Sequence, residues 1–365
     1  MELIHTNRLH VNIQTNFKDA SKKYLWCILF FVAIIPHGYR RDYGTISKVL
    51  SIIVYNCRYY VAKKNYLCNR IKMNGEYRNH IIVSSKKQHL YKKMIFATDK
   101  GRMCNNILQY GHVYAWAREH GRKSISMRFC YKYQYFKICH TRWHNFITYV
   151  LAKYAAKWGL ISSVIYNDFS KKTAEKNEEF MLSHKTFIVK GWEVRFYDLF
   201  LKYKQEILNL FAFNESIVAK TQAFMGKKSE NELRLGIHIR RGDYKTWQNG
   251  KYYYEDDIYQ DYIIQFQKLF PEKIITAYIC SNDPKLNKES YKNNLKNINI
   301  IFPQGGQEDD LCLLSECDYL IGAPSTFSLV ASMYHNTPLC WMEEKYITLT
   351  ASSFDTFDEL FKNIK

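Results

Sequence analysis

The sequence predicts an α/β protein with two Rossmann-like regions facing each other across a cleft, preceded by a basic extension. Three observations predict it. From Lys93 onward, short apolar runs alternate with segments of helical period, the pattern of parallel sheets with helical crossovers. That regularity occurs twice, first over residues 94–129 and again from Leu233, with a stretch of mixed pattern between. Finally, residues 1–93 hold seventeen Lys and Arg against four Asp and Glu, so 13 of the chain's 19 net positive charges lie there. A length of 365 residues suits two domains and an appendage. A hydrophobic fraction of 47% with 16% aromatic residues suffices for packed cores and excludes wholesale disorder.

The basic block implies an anionic partner such as a membrane surface or a nucleic acid; a solvated extension has the same composition. Its apolar run Leu25–Ile35 is eleven residues long, short of the roughly 20 that span a bilayer. No small-residue cleavage site follows it, only Pro36 and then His-Gly-Tyr-Arg-Arg. Over Ile46–Val61, Ile46, Val49, Leu50, Ile53 and Val54 recur at helical spacing among basic neighbours, which suits a helix on an anionic membrane face or a core helix alike. The ten cysteines include no CxxC pair, the nearest two being Cys312 and Cys317. Structural zinc needs tighter pairs, so reduced, buried thiols of a cytosolic protein are expected.

Met94–Ala97 reads as a short buried strand, Thr98–Cys104 as a loop around Gly101, and Asn105–His120 as a helix closed by Gly121. Ser124–Phe129 completes a β-loop-α-β unit, the building block of doubly wound folds. Between Cys130 and Asn231 only helices around Ala152–Trp158 and Asp198–Phe211 stand out. Regularity then returns. Leu233–Ile239, Ile274–Cys280, Ile298–Phe302, Tyr319–Gly322 and Pro338–Met342 read as strands, and Asp256–Phe270, Asp309–Cys317 and Thr326–His335 as helices. Ligands of such sheets bind at the carboxyl ends of the strands.

Three segments have the residue types for chemistry at those ends. In His238–Tyr244, HIRRGDY, strand alternation sends Ile237 and Ile239 to one face and His238 and Arg240 to the other. Arg240 and Arg241 then stand at the strand's carboxyl end, where forked hydrogen bonds can neutralise a pyrophosphate and stabilise its departure. A surface arginine pair bridged to Asp243 is the other reading. The embedded Arg-Gly-Asp is too short a match to indicate adhesion. The loop Asp99–Asn106 precedes a helix whose N-terminal N–H groups suit an anion, with Gly101 permitting close approach. In the third segment, Asp309-Asp310-Leu311 is followed by Ala323–Ser328, where Ser325 and Thr326 cap a helix and present donors to a second phosphate-sized site. Three other features are set aside. His140 and His144 lack the glutamate of a zinc helix motif. Asp256-Asp257 opens a helix, where carboxylates are favoured anyway, and Ser281-Asn282-Asp283 contacts a sugar or forms an Asx turn.

Taken together, GRMCNNILQYGHVYAWAREHGR (101–122), HIRRGDY (238–244) and DLCLLSECDYLIGAPSTFSLVAS (310–332) resemble the alpha-1,2-fucosyltransferase family, glycosyltransferase family 11, in the family's order. Ser281-Asn282-Asp283 sits where that family has a Ser-Asp-Asp-like segment. The resemblance covers roughly Lys93 to Trp341. It implies a GT-B-like fold, a GDP-fucose donor, inversion at the fucose anomeric carbon, and neither a cofactor nor an obligatory metal. It implies further that Arg240 contacts the donor pyrophosphate, that His238, Ser325 and Thr326 line the donor site, and that Gly101 and Asn105 form the facing loop. Arg241 and Asp310 are placed in the donor site as well. Asp243 is the expected general base, with Glu255 in reserve. Cys104 stands where the family usually has Gly and Asn106 where it has Gln, departures that bear on the acceptor side or the loop geometry and point to a different acceptor; Leu329-Val330 in place of Trp-Trp reads as repacking.

The expected organisation is therefore residues 1–92 as the basic extension, 93–231 as the acceptor-side domain and 232–365 as the nucleotide-sugar domain. The expected activity is transfer of fucose to a galactoside hydroxyl on a glycan, in surface-polysaccharide or glycan synthesis. Expected partners are GDP-fucose, a glycan ending in galactose and an anionic membrane surface met through residues 1–92, with no nucleic acid. The expected location is cytoplasmic, peripheral at the inner membrane face. The alternatives are a fucosyltransferase of another linkage (alpha-1,6 or protein O-fucose) and a non-enzymatic basic binding protein.

Overall fold

A computed structural model describes residues 94–364, all within one compact unit spanning Gln88–Lys365. The basic block, the run at 25–35 and the pattern at 46–61 lie outside the described residues. Two parallel sheets organise the rest. The first contains β1 (Met94–Ala97), β2 (Lys123–Ser126), β3 (Ser162–Ile165) and β4 (Phe187–Lys190) in the order β2-β1-β4-β3. The second contains β5 (Glu232–Ile239), β6 (Ile274–Ser281), β7 (Asn299–Ile301), β8 (Tyr319–Gly322) and β9 (Leu339–Trp341) in the order β7-β6-β5-β8-β9. The fold is thus α/β with two Rossmann-like sheets, as the sequence predicts. Strand order reverses between β1 and β4 in one sheet and between β5 and β8 in the other. At each such switch point neighbouring crossovers depart to opposite faces and leave a crevice at the carboxyl ends.

The described helices are α1 (Met103–Glu119), α2 (Phe146–Lys157), α3 (Lys171–Ser183), α4 (Tyr197–Lys202), α5 (Lys204–Leu210), α6 (Glu215–Met225), α7 (Asp256–Leu269), α8 (Lys288–Asn294), α9 (Gln307–Ser315), α10 (Thr326–His335) and α11 (Phe357–Leu360). Helix α1 is buried almost all round, because it packs between its own sheet, α4 and α10. Gly111 makes the crossing with α4 possible, since a Cβ there would meet Phe200 Cε2 at 2.2 Å. The helix ends in a Schellman turn: Gly121, at φ +59°, donates its N–H to the Arg118 carbonyl and Arg122 donates to that of Ala117.

One apolar core runs through both halves. It joins Val113, Trp116 and Phe187 to Leu314, Leu329 and Met333, and takes in Phe357 and Phe361 from the end of the chain. The Phe361 ring stacks on His112 of α1, so the last residues return to the first half. A second core lies on the far face of the second sheet, where Ile237 and Ile239 pack under Tyr259 and Ile263 of α7. Seven cysteines among the described residues are free and buried. No described helix is long and apolar enough to cross a membrane.

Several elements differ from expectation. The strand expected at Ser124–Phe129 ends at Ser126, because the chain turns into a 3₁₀ segment that buries Phe129. The helix expected at Asp198–Phe211 is two helices broken at Tyr203, whose hydroxyl donates to Glu119. β3, β4, α3, α6 and α8 carry no expectation from the sequence.

Candidate active site

Loops from both switch points line a single cavity of about 1130 Å³, ample for a nucleotide-linked ligand. From the first sheet come Lys100–Asn105 after β1 and Trp192-Glu193 after β4; from the second, His238 near the end of β5, Arg240, Asp243 and Tyr244 after it, and Pro324–Phe327 after β8. Eight of the nine residues assigned to the site from sequence line this cavity: Gly101, Asn105, His238, Arg240, Asp243, Asp310, Ser325 and Thr326. Arg241 does not.

The pleat of β5 separates the two arginines. Arg240 follows His238 on the cavity side, its guanidinium held by Asp243 through Nη2 at 2.8 and 2.9 Å from the two carboxylate oxygens. Arg241 turns into the protein, 5% exposed. It donates to Asp256 at 2.5 Å, Asp283 at 3.2 Å and the Tyr254 carbonyl at 3.2 Å. This corrects its placement in the donor site: with its fork occupied by two carboxylates, it anchors the loop rather than facing a ligand. Asn282 completes the anchor. Its Oδ1 accepts from the Arg241 N–H at 2.8 Å, and its Nδ2 donates to the Arg241 carbonyl at 3.2 Å. Ser281-Asn282-Asp283 thus includes the Asx turn, Asp283 accepting from the Lys285 N–H, and Asp256 is a structural counter-ion.

Asp243 is engaged on both sides, by Arg240 and by Arg102 Nη2 at 3.6 Å. That ion pair spans the cleft between the first and second halves. The reserve candidate Glu255 is the N-cap of α7 and is not part of the cavity wall. Two cavity carboxylates other than Asp243 bear on the chemistry. Glu193 follows Trp192 in the loop after β4 of the first sheet, whereas Arg240's loop comes from the second. Asp310 stands in the first turns of α9, where burial first, then Asp309 and Glu308, push its carboxyl up to about 6. Neither Trp192 nor Glu193 is legible in the sequence, because β4 is only four residues, three of them apolar, with no motif after it.

Three helix N-termini open on the cavity, those of α1, α9 and α10. Those of α1 and α10 carry no acidic residue in their first turn, so their free N–H groups and partial positive charge suit phosphate, whereas Glu308, Asp309 and Asp310 occupy the first turn of α9 and make that end a site for donors instead. At α1 no side chain caps the helix, and Asn106 instead orders the preceding loop. Its amide accepts from the Lys100 N–H at 2.8 Å and donates to the Lys100 and Arg102 carbonyls at 2.8 and 2.6 Å. Gly101 stands at φ +65°, and a Cβ there would fall 2.6 Å from Asn105 Nδ2. At α10 the Ser325 hydroxyl caps the Phe327 N–H. Thr326 Oγ1 donates to Asn105 Oδ1 at 2.6 Å, a second tie between the halves. Tyr244 completes the wall, donating to the Pro324 carbonyl at 2.5 Å.

His238 is 6% exposed and stacks on Phe327 with ring centres 4.8 Å apart. Burial, then Arg240, pushes its imidazole down to about 3, so the ring is neutral at physiological pH. Its Nδ1 is buried without a partner, as is Trp341 Nε1 in the same wall; buried polar atoms of this kind await a ligand or water. His140 and His144 do not converge. His144 Nε2 accepts from the Ser126 N–H and His140 bonds the Gln134 carbonyl. Among the described residues no three His, Cys, Asp or Glu side chains cluster as a metal would require.

No curated protein matches the chain. Among solved structures, POFUT1 in complex with GDP shares 10% identity over 67% of this chain and 95% of that one, with a TM-score of 0.43. The fucosyltransferase NodZ from Bradyrhizobium shares 10% identity over 69% and 95%, also at 0.43. These values register a distant likeness only. The family model for glycosyl transferase family 11 matches residues 65–338, about three quarters of the sequence and all three motif segments, and the chain belongs to glycosyl transferase family 11.

Proposed function

We propose that the chain transfers L-fucose from GDP-fucose to a hydroxyl of a terminal galactose, in alpha-1,2 linkage and with inversion. The carrying observation is the convergence of Arg240 with the carboxylate-free N-termini of α1 and α10 on one cavity at both switch points. Family membership makes the reaction a glycosyl transfer, and the motif resemblance supplies the fucosyl donor. In this reading the diphosphate sits against Arg240 and the N-termini of α1 and α10, whose positive ends and N–H groups meet its charge. Asp310, when ionised, accepts from guanine N1–H and the N2 amino group together, a donor pair that uracil and cytosine do not offer one carboxylate.

The acceptor oxygen attacks the fucose anomeric carbon as the bond to the β-phosphate oxygen breaks, and GDP leaves with both electrons of that bond. The acceptor proton needs a base on the opposite side. Asp243 is bound to two arginines, so its part is to hold the Arg240 fork in place. Glu193, on the facing loop and in no ion pair among those of the described residues, takes the proton. Glu193→Gln should lower kcat on the order of a hundredfold or more, with the KM for GDP-fucose nearly unchanged in steady-state assays. The linkage is tested by incubating GDP-fucose with a panel of galactosides and N-acetylglucosaminides. Product with fucose on galactose O2 is expected; fucose on another position, or none on any acceptor, would reject the assignment.

A further inference from the structure

Helix α2 presents the wrong side to water. Phe146 is 63% exposed, Leu151 53%, Ile147 48% and Trp158, just past its end, 42%. Only Ala152 of the helix is buried. At 3.6 residues per turn, Phe146, Ile147, Val150, Leu151, Tyr154 and Trp158 fall in an outward arc of roughly 140°. Lys153 borders that arc beside Phe146 and Lys157 stands just inside the same edge in the last turn, and no acidic residue stands in the first turn. The surrounding sequence is equally one-sided: between Glu119 and Asp168 there are eight Lys and Arg and no Asp or Glu.

An apolar face edged with lysine complements the boundary between anionic headgroups and acyl chains. It complements a second copy of itself poorly, because pairing would set lysine against lysine with no carboxylate in the helix to answer them. We propose that α2 is an interfacial helix that seats this domain on an anionic phospholipid bilayer, with Phe146, Ile147 and Leu151 entering the interface and Lys153 and Lys157 meeting the headgroups. The inference does not depend on the sugar or linkage proposed above.

Cosedimentation of the full-length chain with vesicles tests it, comparing phosphatidylcholine alone with a mixture containing one-third phosphatidylglycerol. The wild type should partition to the mixed vesicles. Ile147→Asp with Leu151→Asp should lower the partition constant at least about tenfold, since two aliphatic side chains leave the interface. Phe224→Asp, at a similarly exposed apolar position on α6, should change nothing. Lys153→Glu with Lys157→Glu should weaken binding to the anionic vesicles alone, and this pair decides the matter if the aspartate variant does not melt like wild type. Undiminished partition of both double variants would overturn the proposal by placing membrane binding elsewhere in the chain. So would failure of the wild type to bind, or a wild-type dimer that the aspartate substitutions dissolve without affecting vesicle binding.

Discussion

Arg240 and Arg241 differ by one step of strand register, and the pleat sends one to the cavity and buries the other against two half-buried carboxylates. Their substitutions should therefore separate. Arg240→Ala removes a cavity-facing charge and should lower transfer by about 10³-fold, while the denaturation midpoint stays near wild type. Arg241→Ala removes the cation that ties Asp256, Asp283 and the Tyr254 carbonyl together and should cost about 2–3 kcal/mol, water reaching the two half-buried carboxylates, read as a clear fall in the same midpoint. Asp310 adds a pH dependence. Its carboxyl is raised to about 6, so the folded state holds a proton that the unfolded chain has released. Stability of the unliganded protein from this group is present below the unfolded carboxylate range and is lost as pH rises through about 6. GDP binding runs the other way, because only the ionised carboxylate accepts from guanine. The GDP-induced rise in Tm should shrink as pH falls through about 6, and Asp310→Asn should flatten both slopes.

The loops that shape the site depend on single backbone positions of the elements that carry them. Gly191 follows β4 at φ +106°, and a Cβ there would lie 1.7 Å from the Tyr166 carbonyl oxygen, while Gln109 Nε2 donates to the Gly191 carbonyl at 2.6 Å. Gly191→Ala should destabilise by about 2 kcal/mol or more and displace Trp192 and Glu193, so chemical denaturation and activity should fall together. Legibility in the sequence follows the strength of the local pattern. Tyr319–Gly322 and Thr326–His335 are read to the residue, because continuous burial and a serine cap leave no ambiguity. β3 goes unread because its edge position buries only Val164 of Ser-Ser-Val-Ile. α3 goes unread because Asn177 and Met181 alone of thirteen residues are buried, too few to mark a stripe. At the site, motif residues are legible and their support is not: Asn106, Asn282 and Glu193 act through loop geometry that no spacing announces.

At the scale of the whole chain, both sheets direct their switch points into one cavity, and the halves are tied across it by Thr326 to Asn105 and Arg102 to Asp243. The returning C-terminus, with Phe361 on His112, and the core common to both sheets make the two halves one packing unit. A ligand that bridges the cleft should accordingly stabilise both together. The central claim is that this cavity binds a guanosine diphosphate sugar. Thermal melting of the full-length protein with saturating GDP, GDP-fucose, UDP or CMP tests it most directly. The account predicts a single transition whose Tm rises with GDP and GDP-fucose alone, with the rise abolished in Arg240→Ala. Equal stabilisation by UDP or CMP, or none by GDP in the wild type, would contradict it.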